Sequence, residues 1–239
     1  WSSRQHRVTN DLPRVSIIVC RGLVIIHFQV GREILLHVHR ADEDNGTGIE
    51  VWSVEVDAGR TGAEAKDGRR PGFGRVLNRF IAPLFVGETV ATKRLIEAAC
   101  LLHDVTWRAH PDFRAEVCFD NATRANLGGL THQERIWLGL ALLHRYKNSR
   151  DGTRFSELFA LIDKNQIRQA ETVGRAMRFG SMFSVDAPER IAGLKWQPRA
   201  KVLTLTLAQE GAVLFGEVAQ GRFNLLAASL GAEPVVRQP

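Results

Sequence analysis

Three cysteines in 239 residues are too few, and too widely scattered, to build a disulfide scaffold. Cys20, Cys100 and Cys118 form no CxxC pair, and no Cys/His spacing supplies a zinc site. A reducing compartment fits this usage, and a cytoplasmic location is expected. Long apolar runs are missing too. The longest, residues 15–30, is broken by Ser16, Cys20, Arg21, His27 and Gln29. It falls short of the roughly 18–20 apolar residues a membrane span needs, so a strand pair is expected there and no membrane contact. Residues 1–5 have no signal-peptide architecture, and the only methionines are Met177 and Met182. The chain is therefore expected to be a fragment whose natural start lies upstream. GxxxxGK[ST], GxSxG, HExxH and GxGxxG are all absent, which removes the commonest nucleotide-binding and hydrolase signatures.

What is present reads as globular. Hydrophobic residues make up 44% and charged residues 24%, close to globular averages, which argues against a disordered chain. Lys and Arg (32) outnumber Asp and Glu (26), and the net charge of +6 favours polyanionic partners modestly. No nucleic-acid reader motif or aromatic-basic interleaving occurs, so no specific nucleic acid is expected.

The pattern along the chain predicts an α+β, mainly α protein in three parts. Residues 1–60 carry β-branched runs at 15–19, 23–26 and 34–38, with a loosely alternating stretch at 49–56. Residues 61–190 are helical. Val76, Leu77, Phe80, Ile81 and Leu84 line one helix face, which Pro83 is expected to end or kink. Thr89 opens a second helix with Leu95, Ala98, Ala99 and Leu102 on one side. Residues 107–120 read as less regular. Thr131 and Glu134 form a capping box for a helix bearing Ile136, Leu140, Leu143 and His144 on one face. A short helix at 155–162 precedes a longer one at 166–183, where Gly174 and Ser181 would let another helix approach closely. Residues 191–239 form a small β-β-α-β module. Residues 201–207 alternate as a half-buried strand, 209–211 read as a turn, 216–230 as a helix capped by Gly231, and 234–236 as a last strand.

Chemistry concentrates in residues 101–114. The adjacent His103 and Asp104, at the end of an apolar helix, could place imidazole and carboxylate on one divalent metal. Such a site needs further ligands, for which His110, Asp112, His132 and His144 are the candidates, and it could activate a bound water against a phosphoester. The competing reading makes His103 a satisfied core or capping residue. A second feature is the arginines. Arg60, Lys66, Arg69, Arg70, Arg75 and Arg79 surround a glycine-rich loop; Arg108, Arg114 and Arg124 follow, then Arg145, Lys147 and Arg150. Guanidinium groups pair bidentately with phosphate oxygens, although solvated surface arginines paired with nearby acids would look the same in sequence.

These blocks also carry a resemblance. Arg69-Arg70-Pro71-Gly72-Phe73-Gly74, Ala82-Pro83-Leu84-Phe85, Ala98-Ala99-Cys100-Leu101-Leu102-His103-Asp104-Val105 and Trp107-Arg108-Ala109-His110-Pro111-Asp112-Phe113-Arg114 occur in this order. Together they resemble the C-terminal region of the exopolyphosphatase / guanosine pentaphosphate phosphatase family. The stretch 23–36, with Gly31-Arg32-Glu33-Ile34-Leu35-Leu36, is similar to the strand and turn closing that family's second actin-like domain. The resemblance implies an HD-like helical domain at 61–190, a small α+β C-terminal module at 191–239, and at 1–60 a β-rich remnant of the preceding actin-like domain or a diverged β segment. It implies a part of an exopolyphosphatase, a hydrolase of terminal phosphoanhydrides, that binds inorganic polyphosphate or guanosine pentaphosphate and forms a homodimer. The catalytic actin-like domains, with their Mg²⁺, are absent from this chain, which is expected to be inactive alone and to need no cofactor of its own.

The upstream His of a working HD site is missing from residues 75–84, so His103 and Asp104 are expected to be vestigial, bonded to each other or to nearby backbone. Arg69, Arg70, Arg75, Arg108, His110, Arg114 and Lys147 are the expected phosphate-binding residues. If any metal were held, its ligands would be His103, Asp104 and His144. Two alternatives stay open: an autonomous HD-type metal-dependent phosphohydrolase, and a non-catalytic interaction module.

Overall fold

In the computed structural model, residues 69–124, 129–184 and 187–238 are described in full, and residues 14–20, 23–30, 33–40 and 50–57 as backbone strands. Those strands are β1 (Arg14–Cys20), β2 (Leu23–Val30), β3 (Glu33–Arg40) and β4 (Glu50–Asp57), paired antiparallel in that order. The likeness to an actin-like domain turns on side chains of residues 1–60, which lie outside the described residues, as do Arg60 and Lys66.

The helical part starts at α1 (Phe73–Ile81). Its apolar stripe buries Phe73, Leu77, Phe80 and Ile81. Pro83 then sits in a single 3-10 turn, Ala82–Leu84, as expected of a residue that cannot continue the helix. Helix α2 (Val90–Leu101) begins at Thr89, whose side chain accepts from the Thr92 N–H. Gly74 of α1 lies so close to the end of α2 that an added Cβ would stand 2.7 Å from the Cys100 carbonyl oxygen.

The segment after α2 differs from the sequence reading. Residues 107–120 read as less regular, yet α3 (Pro111–Arg124) is a regular helix of 14 residues. Pro111 occupies the first turn, where a missing N–H costs nothing, and Asp112 complements the positive end of the helix dipole. Its buried stripe is Ala115, Cys118, Phe119 and Ala122, at i, i+3, i+4 and i+7. Three of those four residues are small, which left the periodicity inconspicuous.

Helix α4 (His132–Tyr146) opens with the reciprocal Thr131–Glu134 capping box, and α5 (Ser156–Phe159) is one turn. Helix α6 (Lys164–Phe183) starts on a second capping box, Asp163 with Gln166. It runs through the middle of the molecule against α1 and α4. At Gly174 the two long helices nearly touch: an added Cβ would lie 2.4 Å from the Ala141 carbonyl oxygen and 2.4 Å from the His144 Cβ.

After the one-turn α7 (Pro188–Ile191), β5 (Ala192–Gln197) pairs antiparallel with β6 (Val202–Leu207). Leu203, Leu205 and Leu207 of β6 are buried and Thr206 is exposed, which follows the alternation, while Thr204 is buried as well. Residues 209–211, expected as a turn, instead begin a short helix, α8 (Gln209–Leu214). Gly211 permits it, because a Cβ there would fall 2.2 Å from the Ile191 carbonyl oxygen. Helix α9 (Glu217–Leu230) packs on α6 and ends at Gly231, with φ 62°. The N–H groups of Gly231 and Ala232 donate to Ala228 and Ala227, the paired bonds that close a helix through a left-handed residue. Strand β7 (Glu233–Arg237) then joins β6 in parallel.

The described protein is thus mainly helical with a small three-stranded sheet near its C-terminus. One apolar core runs through α1 to α4, α6, β5, β6 and α9. Phe179 of α6 is fully buried at its centre, 6.1 Å from Phe80, 5.5 Å from Phe183 and 5.5 Å from Phe223, ring centre to ring centre. Among the described residues, no helix is long and apolar enough to cross a membrane.

Candidate functional site

His103 and Asp104 lie in the turns just after α2. Leu101, Leu102 and Val105 are buried around them, so the turn is drawn into the core and both polar side chains go with it, His103 6% and Asp104 3% exposed. A buried carboxylate must be paired, and Asp104 is. Arg69 Nη2 donates to Oδ1 at 2.8 Å, Arg69 Nε to Oδ2 at 3.0 Å, and the Arg69 backbone N–H to Oδ2 at 3.0 Å. The Tyr146 hydroxyl stands 3.3 Å from Oδ1 and donates to the His103 carbonyl oxygen at 2.7 Å. Burial raises the Asp104 pKa, but the Arg69 hydrogen bonds outweigh it and hold the carboxyl below its usual value. The same bonds raise the Arg69 pKa.

His103 faces another way. Its Nδ1 lies 2.8 Å from the Cys100 carbonyl oxygen, which can only accept, so Nδ1 carries the proton. Burial, reinforced by the nearby Arg145 charge, pushes its pKa down to about 4. Arg145 is itself buried, with its guanidinium carbon 4.8 Å from the Tyr146 ring centre. Burial lowers its pKa, and its Nε has no hydrogen-bond partner.

The other residues singled out from sequence divide between this cluster and the surface. Arg114 ties down the loop before α3, donating from Nη2 to the Trp107 carbonyl at 2.6 Å and the Ala109 carbonyl at 3.0 Å. Its guanidinium also stands 5.5 Å from the Tyr146 ring centre. Arg108 lies over the Trp107 ring at 4.7 Å. His110 and Asp112 are exposed neighbours, 3.6 Å apart. Arg70 and Arg75 are exposed, and Lys147 caps α4. His144 is fully buried, with Nε2 3.6 Å from the Glu171 carboxylate. Burial and the charges of Arg175 and Arg150 push its pKa down to about 3.

Among the described residues, no three His, Cys, Asp or Glu side chains gather as a metal-binding group, the trio His103, Asp104 and His144 included. A divalent cation such as Mg²⁺ needs carboxylate oxygens free to ligate it. Both Asp104 oxygens already accept from Arg69, so the HD pair does not fit that ion.

Three further arginines belong to no motif visible in the sequence. Arg175 and Arg178 of α6 and Arg222 of α9 surround the C-terminal end of α4 together with Arg150 and His144. Helix α6 drew attention only through its small residues. Its signal lay in two arginines three apart, flanking Met177 on a helix that is otherwise buried around them.

In comparison with known proteins, the family described as exopolyphosphatase, C-terminal, matches residues 74–234, more than half of the chain. No curated protein matches the chain.

Proposed function

This chain belongs to the exopolyphosphatase C-terminal family, and from that premise we propose that it is the polyphosphate-holding and dimer-forming part of an exopolyphosphatase rather than a hydrolase in its own right. The observation that supports this is the state of the HD pair. Asp104 is an ion-pair partner of Arg69, and His103 is a neutral side chain bonded to a main-chain carbonyl. In that arrangement the pair fixes the turn between α2 and α3 and offers neither a metal ligand set nor a poised base. The HD-like character of residues 61–190 is then a matter of ancestry.

The binding half of the reading is supported by the net charge of +6 and by Arg175 and Arg178, whose guanidinium groups feel the positive charges of other arginines. Long polyphosphate or guanosine pentaphosphate is the ligand proposed, with Mg²⁺ and the cleavage of the terminal phosphoanhydride belonging to actin-like domains beyond this chain. A cytoplasmic homodimer remains part of the proposal.

The test is polyphosphate binding by the purified chain at two salt concentrations, with released phosphate measured in the same samples in Mg²⁺. Binding that weakens with salt, with no phosphate released, is the expected result. Phosphate release abolished by Asp104→Ala would instead favour an autonomous HD-type phosphohydrolase. Absence of binding at low salt would favour a non-catalytic interaction module, for which light scattering reports self-association.

A further inference from the structure

The C-terminal end of α4 meets the middle of α6 and the start of α9 at an unusual concentration of positive charge. His144 is 1% exposed; its polar neighbours include the Lys147 main chain and the Glu171 carboxylate, 3.6 Å from Nε2, and neither ring nitrogen makes a hydrogen bond of normal geometry. Arg175 Nε and Arg178 Nη1 are likewise buried and unpartnered. Buried polar groups in folded proteins are satisfied by a partner in the great majority of cases. The unpartnered Arg175 and Arg178 N–H groups therefore gather near a neutral imidazole, with the Glu171 carboxylate as the acceptor beside it.

The charges add to the anomaly. Glu171 is the carboxylate at hand, and it is already engaged by Arg150. Arg222, from α9, donates to the Asn148 side chain at 2.8 Å, which brings a fourth guanidinium to the same place. After burial, the charges acting on Arg178 are those of Arg222 and Arg145, and the one acting on Arg175 is that of Arg150, all positive. Burial and these neighbours bring the Arg178 pKa down to about 10. Half-buried guanidinium groups that repel one another and leave N–H groups unpaired are held at a cost in the free protein. A tetrahedral oxyanion would remove that cost, because its oxygens accept from several guanidinium forks at once and its charge offsets theirs.

We propose that His144, Arg150, Arg175, Arg178 and Arg222 form a built oxyanion site between α4, α6 and α9, which takes a phosphate group of a phosphate chain. The inference rests on the polyphosphate-holding reading for its ligand class, but the site is placed by its own donors. It is separate from the Arg69–Asp104 pair and uses none of the exposed arginines at residues 70, 75 and 108. Arg175, Arg178 and Arg222 come from two helices that converge only in the folded chain, so the site reports on tertiary structure. Glu171, paired with Arg150, competes with an incoming anion for that guanidinium.

The experiment is calorimetric titration of sodium tripolyphosphate into the full chain and into three variants. Wild type is expected to bind. Arg178→Gln and Arg175→Gln should each weaken binding at least about tenfold, since each loses a charged donor to the anion. Glu171→Gln should tighten it several-fold by removing the competing acceptor. Thermal melting provides the control: without the anion, Arg178→Gln should melt no lower than wild type, because it relieves repulsion. With tripolyphosphate present, only wild type should gain in melting temperature strongly. Equal binding by all variants, or a large loss of stability in Arg178→Gln without the anion, would overturn the site. Titration with long polyphosphate separates this from the broader reading. If the arginine variants keep long-polyphosphate binding, the site is wrong and the polyphosphate-holding role stands. If wild type binds tripolyphosphate but not long polyphosphate, the site stands and that role fails.

Discussion

Arg69 clasps Asp104 from 35 residues upstream, with Nε and Nη2 on the carboxylate and its own backbone N–H on Oδ2. The pair joins the entry to α1 to the turn that follows α2. Asp104 is buried while the Arg69 side chain is 49% exposed, so solvent screens part of the interaction. Asp104→Ala is expected to destabilise the fold by about 1–3 kcal/mol, less than the full cost of breaking a buried pair. Urea denaturation measures this, and a double-mutant cycle with Arg69→Ala isolates the coupling. A coupling near zero would mean that the pair only fills space.

Acid should unfold this protein earlier than its charge alone suggests. His103 and His144 are held neutral, with pKa values near 4 and 3, against an ordinary value of 6.5. In the unfolded chain both gain a proton as pH falls below 6.5, while in the fold neither does until far lower. The unfolded state therefore binds more protons across that window, and stability falls as pH drops from 6.5 towards 4. Each such proton is worth about 1.4 kcal/mol per pH unit. Asp104, whose pKa is depressed, adds a further loss below its ordinary value of 3.8. Denaturation midpoints between pH 7 and 4 give the slope. A flat profile would show that both rings are protonated in the fold, and half the slope that one of them is.

Much of the architecture was legible because local rules and tertiary packing agree. Thr89, the Thr131–Glu134 box, Pro83 and Gly231 mark helix boundaries through backbone chemistry that acts within a few residues. Helix α3 escaped because its buried stripe consists of Ala115, Cys118, Phe119 and Ala122, and small residues give little contrast in hydropathy. Helix α8 escaped because Gly211, a turn residue by habit, is needed there for its close approach to Ile191. The HD dipeptide was visible, but its partner Arg69 lies far along the chain, and no spacing rule connects them. The arginines around His144 were harder still, since their convergence depends on how α6 and α9 cross α4.

Gly174 and Gly221 allow a paired test of packing against propensity. Replacing an interior helical glycine by alanine gains about 1 kcal/mol of helix propensity. At Gly221 in α9 nothing lies within 4 Å of the added Cβ, so Gly221→Ala should stabilise by up to about that amount. At Gly174 the Cβ meets a main-chain carbonyl and the His144 Cβ at 2.4 Å, so α4 and α6 must part. Overpacking of this kind costs about 1–3 kcal/mol or more, which exceeds the propensity gain. Gly174→Ala should therefore be net destabilising, read as a lower denaturation midpoint, and the two variants should move in opposite directions.

Cys100 and Cys118 should be chemically silent in the native protein. Both are fully buried, and burial pushes the Cys118 thiol up to about 12 and raises Cys100 as well. The Cys118 sulfur also lies 2.7 Å from the Thr106 hydroxyl, inside the same buried turn as His103. Only the thiolate reacts with iodoacetamide, so neither side chain offers a nucleophile while the core is closed. Alkylation at these two positions, followed by peptide mass spectrometry, should then proceed at a rate set by the opening of the core rather than by thiol chemistry. The two sites should accelerate together when urea is added, because Cys100 lies in the last turn of α2, Cys118 lies in α3, and both face the same apolar cluster. Faster modification of Cys118 alone would show that α3 opens independently of α2. The Thr106–Cys118 contact and the Arg114 tie to the Trp107 carbonyl would then not hold α3 to the turn before it.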